Sequence, residues 1–163
     1  MPLELKELML RTPRLTLAVV ESMTCGWLQT RIGAMSGASE FFLGGLTAYE
    51  LEQKVRHLGV DRAHAAAVNS VSANVAEQMA IGGCAFFKSD LVLSTTGYAE
   101  AWPEQMVVEP FAFWALAQVR PAGPVVVQSG RVECAGADRV QAQQLVADVV
   151  LSELVKYLVK LRG

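Results

Sequence analysis

The pattern of apolar residues predicts an α/β protein: a three-layer α/β/α sandwich around a mixed, mostly parallel central sheet. Two observations carry the class. Short continuous apolar runs of strand length alternate with stretches whose apolar residues recur at helical spacing, as in layered β-α units. Near the end, Phe111 to Gln118 and Pro124 to Glu133 read as two strands linked by Arg120-Pro-Ala-Gly-Pro124, a short connection that signals an antiparallel hairpin. A third observation bounds the size. The chain has 163 residues, 52% hydrophobic and 18% charged, enough apolar material for a core and too little charge for a disordered chain. With no repeat, linker or low-complexity segment, residues 1–163 read as one domain.

The elements follow in order. Residues 2–12 read as an amphipathic helix with Leu3, Leu5, Leu8 and Met9 on its apolar side, stopped by Pro13. Leu15 to Val20 is a buried strand running into the polar turn Glu21-Ser22-Met23-Thr24-Cys25-Gly26. A helix follows, marked by Trp27, Leu28 and Ile32, and closes at Gly33, Ser36 and Gly37. Phe41 to Tyr49 is the second strand, and its pair Gly44-Gly45 reads as a bulge or a close-packing site. Glu50 to Leu58 is a short helix with Gly59 just past its end. Residues 65–71 are ambiguous; Ser72 then caps a helix through about Phe87. Asp90 to Thr96 is the third strand, and residues 98–109 form an ordered loop. The last helix spans 137–161 behind the N-cap Asp138, with Val140, Leu145, Val149, Leu151, Leu154 and Leu158 on its apolar side.

Several function classes are excluded or disfavoured. A net charge of −2 and a pI near 5.7 lack the basic footprint of a nucleic-acid binder. Mean hydropathy is high at +0.31, yet charged or amide residues break every apolar stretch short of a span of about 20 residues. Glu4, Lys6 and Glu7 interrupt the N-terminal pattern, so no signal-peptide core is expected; a soluble cytoplasmic protein is the default. Cys25, Cys84 and Cys134 are widely spaced and His57 and His64 are seven apart; none has zinc spacing, so bystander thiols, solvated histidines and no metal are expected. Trp27, Trp102 and Trp114 read as packing residues.

In such sheets ligands bind at the carboxyl ends of strands, and three strand ends carry candidate chemistry. Ser22 sits between a buried strand and a helix N-terminus, where free N–H groups favour an oxyanion; Ser22 or Thr24 is equally readable as an ordinary N-cap. Tyr49 ends the second strand and Lys54 lies one turn on. A desolvated lysine can deprotonate a serine and a tyrosine can relay the proton, though Lys54 also fits a solvated face with Glu50, Glu52 and Arg56. Ser94-Thr95-Thr96-Gly97 suits a phosphate or ribose contact, or an ordinary turn.

These segments carry a resemblance. Glu-Ser-Met-Thr-Cys-Gly at 21–26, the Ser-Gly-Ala-Ser to Gly-Gly-Leu-Thr-Ala-Tyr run at 36–49, Lys54 to Val60 as KVRHLGV, and Thr96-Gly97 are similar to motifs of the CinA C-terminal-domain family, the competence/damage-inducible CinA-like proteins. The likeness runs from about residue 3 to 161. Stand-alone members of that family include nicotinamide mononucleotide deamidases (PncC type). The resemblance implies an α/β/α fold and hydrolysis of the carboxamide of nicotinamide mononucleotide to nicotinate mononucleotide and ammonia, without cofactor or metal. It places the family's catalytic serine, tyrosine and lysine on Ser22, Tyr49 and Lys54. The oxyanion would meet N–H groups of the 22–26 turn. Glu21, Thr24, Gly26, Gly45, Thr96 and Gly97 would surround the substrate, with its phosphate near Thr24, Gly45 or Thr96.

The chain departs from the family pattern twice. A glycine of the first turn is Cys25, strained if that position needs positive φ. The family's glycine-rich loop after Thr-Gly is replaced by Tyr98-Ala-Glu-Ala-Trp-Pro-Glu104, whose Glu100 and Glu104 would repel a phosphate. Two alternatives follow. One is a catalytically weak or silent paralogue serving as a ligand-binding or oligomerisation module; the other is an amidase for a phosphate-free substrate. The apolar content further points to a homo-oligomer, with no nucleic-acid or membrane partner.

Overall fold

A computed structural model describes residues 2–163, with side chains from Glu4 onward; the apolar contact expected of Leu3 lies outside the described residues. Five strands form one sheet in the order β2-β1-β3-β4-β5: β1 (Leu17–Glu21), β2 (Phe42–Thr47), β3 (Leu91–Tyr98), β4 (Phe111–Arg120) and β5 (Gly123–Glu133). β1 pairs parallel with both β2 and β3, while β4 pairs antiparallel with β3 and β5. Four strands therefore run one way and β4 alone opposes them. The predicted hairpin is β4–β5.

Alternation along β1 builds both cores. Leu17 and Val19 face one side, where α1 (Pro2–Leu10), α2 (Trp27–Gly33) and α6 (Arg139–Arg162) pack; Ala18 and Val20 face α3 (Leu51–Leu58), α4 (Arg62–Ala67) and α5 (Ala73–Phe87). The ambiguous region thus holds α4, capped by Asp61. Ser72 and Asp138 cap α5 and α6 as expected, Asp138 within a capping box with Gln141.

The apolar side of α6 is rotated from the expected one. Its buried residues step by four through Ala142, Val146, Val150, Leu154 and Leu158, whereas Val140 and Leu145 are exposed. The small Ala142 and Ala147, which a search for large apolar residues passes over, let the helix approach the sheet. No helix among the described residues is long and apolar enough to cross a membrane.

The helices after β1 and β2 leave to opposite faces, α2 to one and α3 to the other. That divergence opens a crevice beyond the carboxyl ends of the parallel strands.

Candidate active site

The turn after β1 is organised by a buried carboxylate. Glu21 is fully buried, and its two oxygens accept from the N–H groups of Leu28 and Gln29, the Gln29 side-chain amide and the Thr24 hydroxyl. It fills the anion position at the start of α2 that the sequence assigned to a ligand or oxyanion. Neither Ser22 nor Thr24 caps α2; the N-cap is Gly26, at φ 96°. Thr24 is fully buried, joined to Glu21 and to the Thr95 hydroxyl 2.7 Å away. Cys25 does take positive φ, at 46°, the strained geometry its substitution for glycine implied.

These contacts leave Ser22 projecting into the crevice. Its N–H donates to the Thr95 carbonyl, which pins the backbone. Its Oγ meets Lys54, and this pair is the centre of the site. Lys54 lies on α3 but turns inward and is only 1% exposed. Its Nζ donates to the Ala48 carbonyl at 2.8 Å, the Tyr49 carbonyl at 2.7 Å and Ser22 Oγ at 2.9 Å. No carboxylate among the described residues bridges it. Burial pushes its pKa down from 10.5 to about 8, against a smaller upward pull from Glu50. The solvated reading of Lys54 fails because α3 begins just after β2 and turns its inner face onto the strand ends.

The geometry fixes which atom of the neutral amine faces the serine. Both carbonyls only accept, so the two N–H bonds of the neutral amine point to Ala48 and Tyr49. The lone pair is left aimed at Ser22, whose hydroxyl then donates to it. The phenol of Tyr49 is elsewhere: it is half exposed and accepts from Arg139 Nη2 at 2.8 Å. Tyr49 therefore holds Lys54 through its carbonyl, and no hydroxyl relay to Lys54 forms.

A cavity of about 440 Å³ opens over this pair. Ser22, Tyr49, Lys54, Thr96 and Gly97 of the expected set line it; Glu21, Thr24, Gly26 and Gly45 do not. Gly45 instead makes room for Gln29, since a Cβ there would lie 2.3 Å from the Gln29 Cγ. Gly97 sits where a Cβ would lie 2.3 Å from the Phe111 carbonyl oxygen on β4. The hydroxyls of the 94–96 run are committed. Ser94 donates to the Ala76 carbonyl at 2.6 Å and Thr96 to the Ser70 carbonyl at 2.7 Å. The segment is strand rather than turn, and Thr96 anchors Asn69 and Ser70, both at positive φ on the cavity wall.

Sequence reasoning missed Asn69, Ser70, Tyr98 and Arg139 in the cavity wall. Their only signal was placement beside strand ends, which needs the sheet order. Trp102, expected as a packing residue, is 43% exposed and lines the cavity, whereas Trp114 is buried. The 98–109 loop is tied by mutual backbone bonds between Trp102 and Val107 and leaves the cavity open. Its Glu100 is paired with Arg139, so the expected repulsion from that carboxylate is partly neutralised. Glu104 is not part of the wall.

Comparison with known proteins places the fold. The family model described as CinA C-terminal domain matches residues 4–158. A CinA-like protein of Chlorobium limicola is 32% identical over 157 residues, covering 95% of this chain and 36% of that protein. One from Picosynechococcus is 44% identical over 99 residues, 61% of this chain and 23% of that protein. The chain thus spans about a quarter to a third of the length of these curated relatives. Among solved structures, a competence-damaged protein (CinA) superfamily protein from Enterobacter cloacae superposes with a TM-score of 0.83 at 23% identity, over 96% of this chain and 89% of that one. The competence damage-inducible protein A of Klebsiella pneumoniae gives 0.83 at 21% identity, over 97% and 94%. These superpositions show the α/β fold, and the match over residues 4–158 shows that the chain belongs to the CinA C-terminal domain family.

Proposed function

We propose that the chain is an amidohydrolase that converts nicotinamide mononucleotide, or a close relative, to the acid and ammonia through Ser22 and Lys54. One observation carries the reading: a buried lysine, with its pKa lowered to about 8 and no partner carboxylate, lies 2.9 Å from a serine hydroxyl at the mouth of a cavity. At pH 7 about a tenth of such lysines are neutral, against well under one in a thousand for an ordinary lysine. That supplies the base a serine nucleophile needs.

The steps balance as follows. Ser22 Oγ bonds to the amide carbon while its proton passes to Lys54 Nζ. The oxyanion is stabilised by backbone N–H groups. Those of Ser22 and Cys25 are engaged internally, whereas that of Met23, which lines the cavity, has no partner among the described residues. Each such donor is worth about 3 kcal/mol. Lys54 then protonates the amide nitrogen, ammonia leaves, and an ester remains on Ser22. A water adds to the ester, its proton going to Lys54, and the acid departs as Ser22 regains a proton.

The silent-module alternative rests on the replacement of the family's glycine-rich loop at 98–104. The open cavity over Ser22 favours the enzyme instead. The test is ammonia release from nicotinamide mononucleotide by the purified chain beside a Ser22→Ala control. Release that the substitution abolishes supports the reading; no release from either sinks it for this substrate.

A further inference from the structure

We infer that Glu100 is a specificity-determining residue of this site: its carboxylate competes with a substrate phosphate for Arg139 and so lowers the preference for a phosphorylated amide over its phosphate-free counterpart. The inference rests on reading the cavity as the substrate site and refines which amide it takes.

Arg139 and Lys54 are the only cationic side chains among the described residues lining the cavity. The three donors of protonated Lys54 are already committed to two carbonyls and Ser22. Arg139 alone can meet an anion. It is the first residue of the 24-residue α6, where the positive end of the helix dipole disfavours a guanidinium. The Asp138–Gln141 capping box already serves that helix end, so Arg139 has no helix-forming reason to be there.

Its fork is divided. Nη1 donates to Glu100 at 2.6 Å and Nη2 to the Tyr49 hydroxyl at 2.8 Å. A phosphate at this edge competes with the Glu100 carboxylate for Nη1. The backbone beneath Glu100 is fixed. Ala99 is buried, Tyr98 packs edge-on against Trp102 and Phe111, and Trp102 is tied to Val107. A phosphate entering here must displace Glu100 and then remain beside its charge. A phosphate-free amide meets a rim that is already neutral.

The pair is about half exposed, and such pairs are worth up to about fivefold in an equilibrium constant. The experiment compares the chain with Glu100→Gln and with Glu100→Gln/Arg139→Gln. Calorimetry measures inorganic phosphate binding. Ammonia release measures kcat/KM for nicotinamide mononucleotide and for its phosphate-free nucleoside. We expect Glu100→Gln to bind phosphate about fivefold more tightly, to lose that gain in the double variant, and to raise the nucleotide-to-nucleoside ratio similarly. Unchanged phosphate affinity, a gain that survives in the double variant, or an unchanged ratio overturns the role of Glu100. If no variant hydrolyses either amide but the phosphate pattern appears, the activity reading fails and the assignment of Glu100 stands.

Discussion

Replacing Lys54 by methionine tests the physical basis of the site independently of any substrate. Methionine keeps the apolar stem and removes the amine. Two effects oppose each other at neutral pH. The substitution relieves the cost of burying a charge, which a pKa lowered from 10.5 to about 8 puts at roughly 3 kcal/mol. It also leaves the Ala48 and Tyr49 carbonyls without their donor. The stability difference at one pH therefore decides little, but its slope with pH does.

The sign follows from proton counting. Between about 8 and 10.5 the unfolded wild type holds a proton on Lys54 that the folded protein has released. Wild-type stability must then rise with pH relative to the variant. Below about 8 the full penalty is present; it fades as pH climbs through that window. Between pH 7 and pH 10 the wild type should gain about 2.5 kcal/mol on Lys54→Met. Urea denaturation of both proteins at several pH values measures this, and the variant cancels every other titrating group. A difference flat to within about 0.5 kcal/mol would refute a depressed Lys54 and with it the neutral base.

Three further outcomes follow from the contacts around this pair. Glu21→Ala leaves the Leu28 and Gln29 N–H groups without their acceptor and takes one of two partners from the buried Thr24 hydroxyl. It should cost about 3 kcal/mol or more in urea denaturation; a loss under about 1 kcal/mol would contradict the capping role. Tyr49→Phe keeps the carbonyl that holds Lys54 and loses only the bond to Arg139. Its pH–rate profile should keep the inflection near about 8 while KM rises a few-fold, and a displaced inflection would restore the hydroxyl relay. Gly97→Ala drives a methyl into the Phe111 carbonyl and should lower stability by about 1–3 kcal/mol by thermal or urea denaturation. A neutral result would mean β3 and β4 can part there.

Much of the fold was legible because local signals agreed. The continuous apolar run of β1, the caps Ser72 and Asp138, and the short Pro/Gly link between β4 and β5 each act within a few residues. α4 escaped because Ala63, Ala65, Ala66 and Ala67 give no contrast between apolar and polar faces. The site was half legible. Ser22 and Lys54 lie 32 residues apart and were joined by motif resemblance; only the sheet order brings them to 2.9 Å. Glu21 was misread because a carboxylate beside a strand end looks the same whether it caps the next helix or faces a ligand. What decides is the path of the chain from Gly26 into α2, which turns Leu28 and Gln29 back onto it. Arg139 was hidden because its partners, Tyr49 and Glu100, are 90 and 39 residues away.

In the proposed chemistry Ser22 becomes a covalent nucleophile when Lys54 takes its proton. The most direct measurement is acid-quenched mass spectrometry of the protein during turnover of nicotinamide mononucleotide near pH 8, followed by peptide mapping. The expected result is an acyl adduct of substrate minus ammonia on the peptide holding Ser22, absent in both Ser22→Ala and Lys54→Met. Ammonia release that persists in Ser22→Ala, or an adduct mapped to any other residue, would contradict it.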